Sequence, residues 1–125
     1  MIVRLADIPE EAQPARSLVL RRAVHAPEHS NDISVTWVSI AGHHDRVINH
    51  DSDRVYFIIE GRGRFQVGDG GAIEDVMAGD FVFIARGTPY EFDGDMRYLV
   101  MNGPAFSPGS DTELPSVFTD LDTSA

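Results

Sequence analysis

The chain has 125 residues, a formal net charge of −10, an apolar fraction of 42% and neither cysteine nor lysine. The length suits one domain with its own core, and the missing residue types exclude disulfides, thiolate chemistry, cysteine-bound metals and a lysine Schiff base. The acidity disfavours nucleic acid and anionic membranes as partners, and no apolar run approaches the ~18 residues of a membrane span.

The first half of the chain predicts short strands separated by turns. Residues 1–5 alternate weakly and predict an edge strand, and residues 17–24 predict a second strand after a proline-containing loop. Residues 33–41 alternate clearly and predict a third strand. The polar residues 42–53 hold three of the five histidines and predict a loop, with room for a short strand at 47–48. The N-terminus lacks a basic stretch followed by a long apolar one, so the expected compartment is the cytoplasm.

The most apolar stretch is residues 55–59, VYFII, which is followed closely by Gly61-Arg62-Gly63. Both faces of this stretch are apolar, which predicts a strand that is covered on both sides. The two glycines tolerate the positive φ angles of a tight turn. The pattern therefore predicts a hairpin that returns through residues 64–67.

The second half continues the same pattern. Strands are predicted at residues 72–77, 81–85, 90–92 and 96–101, the second of them fully buried and the last two joined by a hairpin at 94–95. Some eight to ten short strands are typical of an all-β sandwich or barrel. The last part is rich in proline and acidic residues and has no basic residue. We therefore predict a β-barrel domain over residues 1–104 and an extended acidic tail over residues 105–125.

Two glycine-framed spacings resemble the motifs of the cupins, a family of small jelly-roll β-barrels. The first family motif runs Gly, five residues, His-x-His, three or four residues, Glu, six residues, Gly; here the matching positions are Gly42, Ile48-Asn49-His50, Arg54 and Gly61. The second runs Gly, five residues, Pro-x-Gly, two residues, His, three residues, Asn; here they are Gly79, Ala85-Arg86-Gly87, Tyr90 and Gly94. The resemblance implies an antiparallel jelly-roll, cupin-like β-barrel.

The departures from these motifs fall on metal ligands. Metal-binding cupins typically use two histidines and a glutamate of the first motif and a histidine of the second, where this chain has Ile48, His50, Arg54 and Tyr90. Arginine cannot ligate a cation and repels it. We therefore predict no usual metal centre and no cofactor.

A non-standard metal site is the alternative. A divalent ion could be held around His50 if His43 and His44 turned inward beside it. Against this, adjacent strand residues point to opposite faces, and loop histidines are commonly solvated.

The family geometry would point four side chains into the barrel mouth: His50, Arg54, Tyr56 and Tyr90. A guanidinium, two phenols and an imidazole suit a small polar or anionic ligand. Arg54 could instead form a structural ion pair with a nearby carboxylate.

The leading hypothesis is a cupin that binds a small polar or anionic molecule as a sensor, a carrier or a metal-free enzyme. The alternative is a metal-dependent dioxygenase, isomerase or lyase, and a third hypothesis is an interaction role of the acidic tail. Whether the protein is an enzyme, and on what, stays open. The resemblance also implies a homodimer, since small cupins commonly pack one sheet on its mate.

Overall fold

A computed structural model describes residues 1–118 of the chain. Its strands are β1 (Glu11–Gln13), β2 (Leu18–Val24), β3 (Ser34–Ile48), β4 (Asp53–Val67), β5 (Ile73–Met77), β6 (Phe81–Ile84), β7 (Tyr90–Gly103) and β8 (Thr112–Glu113). Two short 3₁₀ turns, Leu5–Asp7 and Pro14–Arg16, precede β1 and β2. Nothing helical in this part of the chain has the length or apolar character needed to cross a membrane.

The strands form one antiparallel sheet in the order β1-β2-β3-β7-β4-β5, with β6 added to β4 and β8 added to β3. The sheet folds over so that its inner face encloses the core, in which Ile58, Phe92 and Met96 are fully buried. The predicted all-β, antiparallel jelly-roll class is confirmed. The ladder itself is open, because among residues 1–118 no pairing joins β5 back to β1.

Three strands are longer than predicted, because glycines that suggested turns are bends within them. β3, β4 and β7 run for 15, 15 and 14 residues. Gly42 pairs with Gly94 and Gly94 with Gly63, so each long strand contributes one glycine to a single row across the sheet. A Cβ on Gly94 would lie 2.5 Å from the Arg62 carbonyl oxygen and 2.7 Å from the Gly63 Cα. The backbones can bend together only where side chains are missing.

This glycine row (Gly42, Gly63 and Gly94) corrects three predictions. The hairpins at residues 61–63 and 94–95 are wrong, because β4 and β7 continue through them. The loop at residues 42–53 is wrong up to Ile48, because this polar segment pairs with β7 and β8.

Other predicted strands have mixed outcomes. β2 and β5 confirm predicted strands, whereas residues 1–5 form no strand and lead into the first 3₁₀ turn. β6 is present but not fully buried, since Phe81 and Phe83 are 69% and 62% exposed.

The segment after β7 packs along the body of the sheet. β8 pairs with the end of β3, the Leu114 amide donates to the Arg46 carbonyl over 2.8 Å, and Phe118 is buried. The predicted boundary at residue 104 stays a prediction, and residues 119–125 of the predicted tail lie outside the described residues.

The outer face of the sheet is apolar across four neighbouring strands. Arg21 lies 5.4 Å from the centre of the Trp37 ring and donates to the Leu5 carbonyl, so the exposed N-terminal residues adjoin this face. Strand pairing aligns two rows, one of Val35, Met101, Val55 and Phe83 and the next of Trp37, Leu99, Phe57 and Phe81.

We propose that these outer rows pack on the same rows of a second copy, as the predicted homodimer requires. The rows hold no charged residue and cover on the order of 300 Å² at ordinary strand spacing, comparable with the largest apolar patches of monomers. A two-fold axis through them sets apolar side chains against apolar ones, and the adjoining N-terminal residues extend the contact toward the size of a stable dimer. The net charge of −10 then stays outside the interface.

Sedimentation velocity checks this dimer. We expect the wild type to sediment as a dimer and the Phe81→Ser/Phe83→Ser variant as a folded monomer, because both phenylalanines are exposed within one chain. Met77→Ser is the matched control, since Met77 is also exposed but pairs with Arg62, away from both rows. A wild type that sediments as a monomer would contradict the proposal.

Candidate functional site

The inner face of the folded sheet surrounds a cavity of about 130 Å³. Strand alternation decides which side chains reach it. Ser34, Asn102 and Arg54 align in one row across β3, β7 and β4, and Thr36, Val100 and Tyr56 align in the next. The remaining wall includes Leu18, Leu20, Val38, His44, Tyr98, Phe106 and Asp111.

The guanidinium of Arg54 organises the polar end of the cavity. It is 4% exposed, and it donates from Nε to Asn102 Oδ1 over 3.0 Å, from Nη2 to Asp111 Oδ1 over 3.1 Å, and from Nη1 to the Tyr90 hydroxyl. Arginine stays protonated throughout the range in which proteins fold, so a buried one needs a compensating anion. Asp111 supplies it from the segment that follows β7.

Tyr90 connects Arg54 to a second phenol. The hydroxyls of Tyr56 and Tyr90 lie 2.6 Å apart, and burial raises the pKa of both, so both are neutral at physiological pH. Tyr56 lines the cavity, whereas Tyr90 lies behind it. When Arg54 donates to Tyr90 and Tyr90 donates to Tyr56, the Tyr56 hydrogen is left for the cavity. A chain of this kind strengthens its last donor.

His44 also lines the cavity, from the part of β3 that follows the bend at Gly42. Its ring stacks on Phe92 with centroids 4.5 Å apart, and Nδ1 lies 2.7 Å from the carbonyl oxygen of Asp45. A carbonyl only accepts hydrogen bonds, so Nδ1 carries the hydrogen and Nε2 keeps its lone pair. Burial lowers the pKa of His44 to about 4, so the ring is neutral at physiological pH.

Three of the four residues predicted to bind a small molecule lie together. Arg54 and Tyr56 line the cavity and Tyr90 bonds to both. His50 lies apart from them: it is exposed, in the turn between β3 and β4, and does not line the cavity. A residue beyond the end of a strand is not held to the alternation that directs its neighbours inward.

Sequence reasoning missed several residues of the cavity wall, among them Tyr98, Asn102 and Asp111, and it considered His44 only as a ligand of the alternative metal site. Alternation would have placed His44 on the inner face with Ser34, Thr36 and Val38 once Gly42 is counted as a strand residue. No local pattern marks Asp111, which lies 57 positions from Arg54.

His43 points away from the cavity and lies in β3 rather than in a loop, with its side chain 41% exposed. Its Nε2 bonds to the carboxylate of Glu91, which is fully buried and also accepts from the Ser116 hydroxyl and, over 2.9 Å, from the Val117 amide. This cluster fastens the C-terminal segment to β3 and β7. His43 and His44 thus serve opposite faces of one strand.

The residues at the family's metal positions do not fit a metal ion. Ile48 offers no donor atom, Arg54 is a buried cation, Tyr90 is bonded to Arg54, and His50 is exposed. Over residues 1–118 no three His, Asp or Glu side chains lie close enough to hold an ion. The chemistry is therefore derived from the side chains that do meet in the cavity.

No family model and no curated protein matches this chain. Solved structures do match it. Pac13 from Streptomyces is 17% identical with a TM-score of 0.77, over 91% of this chain and 89% of its own. The polyketide cyclase RemF from Streptomyces resistomycificus is 19% identical with a TM-score of 0.75, over 99% and 92%. Oxalate decarboxylase from Bacillus subtilis is 19% identical with a TM-score of 0.74, over 88% of this chain but 31% of its own.

Pac13 is described as a nucleoside dehydratase. Three of its solved variants hold uridine, two with a tyrosine changed to phenylalanine and one with a histidine changed to glutamine. At these identities the likenesses establish a shared fold.

Loss of the Asp111 charge is expected to destabilise the protein. Asp111→Asn leaves the buried Arg54 uncompensated, and we expect a loss of about 2–4 kcal/mol in the free energy of unfolding, measured by urea denaturation. Glu113→Gln is the matched control: the Arg16–Glu113 pair has side chains 43% and 62% exposed, so its loss costs about 0–1 kcal/mol. Equal losses in the two variants would show that Arg54 does not depend on Asp111.

The neutral His44 ring predicts a pH dependence of stability. Unfolded histidine has its pKa near 6.5 and folded His44 near 4, so between these values the unfolded chain binds more protons and stability falls with falling pH. The loss between pH 7 and pH 5 is about 1–2 kcal/mol, and this interval lies above the pH range in which most carboxylates titrate. His44→Phe should flatten this slope in urea titrations, whereas His50→Phe should keep it. A slope unchanged by His44→Phe would contradict the burial of a neutral ring.

Proposed function

Because this chain has the cupin fold, we propose that it binds a small polar organic molecule in the inner cavity and acts on it by proton transfer. The observation that carries the proposal is the juxtaposition of a neutral His44 and the Arg54–Tyr90–Tyr56 chain in one partly apolar cavity. A proton acceptor and a proton donor that line the same cavity are the requirement for general acid–base work.

His44 would be the proton acceptor. Its Nδ1–H is held by the Asp45 carbonyl, which orients the ring and leaves Nε2 for the ligand. The low pKa keeps the ring unprotonated at physiological pH, so it can accept a proton without first losing one.

Tyr56 would be the donor. The guanidinium of Arg54, acting through Tyr90, favours negative charge that develops on a ligand oxygen beside the Tyr56 hydroxyl. Arg54 itself is a positioning residue in this proposal, because it is held by Asn102, Asp111 and Tyr90 and acts on the ligand through Tyr90.

The structural neighbours support this class of reaction. The names dehydratase and cyclase describe removal of water and ring closure, and both reactions need protons taken up and delivered at defined places. Uridine, which Pac13 holds, is a polar and uncharged molecule.

The cavity size limits what can be enclosed. Its volume of about 130 Å³ is close to that of apolar cavities that take up one benzene ring. One six-membered ring, or one ring of a larger molecule, would therefore fill it.

Proton abstraction can be tested without the natural substrate. Cyclohexanone fits the cavity by size and has acidic hydrogens beside its carbonyl, which exchange with D₂O and can be followed by NMR. We expect the wild type to accelerate this exchange and His44→Gln to lower the acceleration by about 10²-fold or more. The rate should stay level above pH 5 and fall as His44 becomes protonated near pH 4.

Two variants locate the activity. Val38→Trp fills the cavity from an apolar wall position and should abolish exchange and binding, whereas His50→Ala should change neither. Exchange that survives Val38→Trp, or is lost in His50→Ala, would contradict the proposed site. Binding of cyclohexanone or uridine with no exchange would favour a carrier or sensor over an enzyme.

A further inference from the structure

The guanidinium groups of the cavity are already neutralised by the protein. Three arginines line the cavity, and each forms an ion pair with a carboxylate of the chain. An incoming anion would find no unpaired positive charge and would lose its own hydration on entering. The pairs are Arg54–Asp111 at 3.1 Å, Arg22–Glu11 at 3.2 Å and Arg16–Glu113 at 3.3 Å.

Two buried polar groups on the cavity wall lack a protein partner. Tyr98 is 2% exposed, and among residues 1–118 nothing hydrogen-bonds to its hydroxyl. Asn102 is 5% exposed; its Oδ1 accepts from Arg54, and its Nδ2 has no acceptor in the same part of the chain. Both side chains are almost fully enclosed by the protein and line the cavity, so their unpartnered polar atoms are available to a ligand that enters it.

Asn102, Tyr98 and His44 require different hydrogen-bonding partners on the ligand. The Asn102 amide nitrogen can only donate, so it needs an oxygen acceptor, and the Tyr98 hydroxyl can donate to an oxygen as well. His44 Nε2 can only accept, so it needs a hydroxyl hydrogen. Between them, Leu18, Leu20 and Val38 form an apolar wall suited to carbon.

We propose that the ligand is an uncharged hydroxylated ring compound whose oxygen atoms accept from Tyr98 and Asn102 and whose hydroxyl meets His44. This inference rests on the proposed function, and it narrows the predicted ligand class from polar or anionic molecules to uncharged ones. Tyr98 and Asn102 are then specificity residues, and the largely buried Arg54–Asp111 pair disfavours carboxylates and phosphates.

A matched series of six-membered rings tests the proposal. The probes are 2-hydroxycyclohexanone, cyclohexanone and cyclohexanecarboxylate, titrated into the full chain at pH 7 and followed by NMR chemical shifts. We expect the hydroxyketone to bind tightest, cyclohexanone about threefold to tenfold more weakly for want of one hydrogen bond, and the carboxylate weakest.

Variants assign the contacts. Tyr98→Phe should weaken both ketones by about threefold to tenfold, and His44→Phe should remove the advantage of the hydroxyketone over cyclohexanone. Asp111→Asn frees the charge of Arg54 and should raise the affinity for the carboxylate, while Glu113→Gln, at an exposed pair, should change it little.

The outcomes separate the two proposals. If no probe binds the wild type, the proposed function fails and the ligand class falls with it. If the carboxylate binds as tightly as the hydroxyketone, the cavity still binds small molecules but the neutral class is overturned. If Tyr98→Phe and His44→Phe leave all three affinities unchanged, the assignment of the contacts is overturned.

Discussion

The arrangement of the rest of the site depends on the buried charge of Arg54. A guanidinium cannot release its proton, so burial is tolerated only when acceptors surround it. They come from both ends of β7, through Tyr90 and Asn102, and from Asp111 beyond it. The packing of the C-terminal segment over the cavity is thus linked to the charge of one side chain at a position where the family motif has a glutamate.

The exchange of an acid for a base at that position accounts for the character of the cavity. Where the motif would gather carboxylate and imidazole around a cation, this chain holds a fixed cation and brings its carboxylate from elsewhere. Tyr90 occupies the position at which the family motif has a histidine ligand, and its hydroxyl hydrogen-bonds to both Arg54 and Tyr56. The result is a polar centre built from hydrogen-bond donors, suited to stabilising charge on oxygen.

Much of the fold and part of the candidate site were predictable from the amino-acid sequence, and the predictions that failed did so for physical reasons. Motif spacing and alternation placed Arg54, Tyr56 and Tyr90 together. Glycine was the main source of error, because the same residue serves a reversing turn and a bend within a strand, and neighbouring residues do not distinguish the two. That ambiguity hid His44 by ending β3 too early. Asp111 could not be predicted, since its partner is distant along the chain.

The glycine row has a consequence for ligand size. It crosses β3, β4 and β7, with Tyr98 and Asn102 on one side of the row and His44 on the other. In the proposed complex, the distance from the acceptor His44 to the donors Tyr98 and Asn102 therefore depends on how the sheet curves at the glycine row. A substitution that changes this curvature would change which ligand fits between these residues without altering any residue that contacts the ligand. Selectivity would then depend partly on the shape of the backbone.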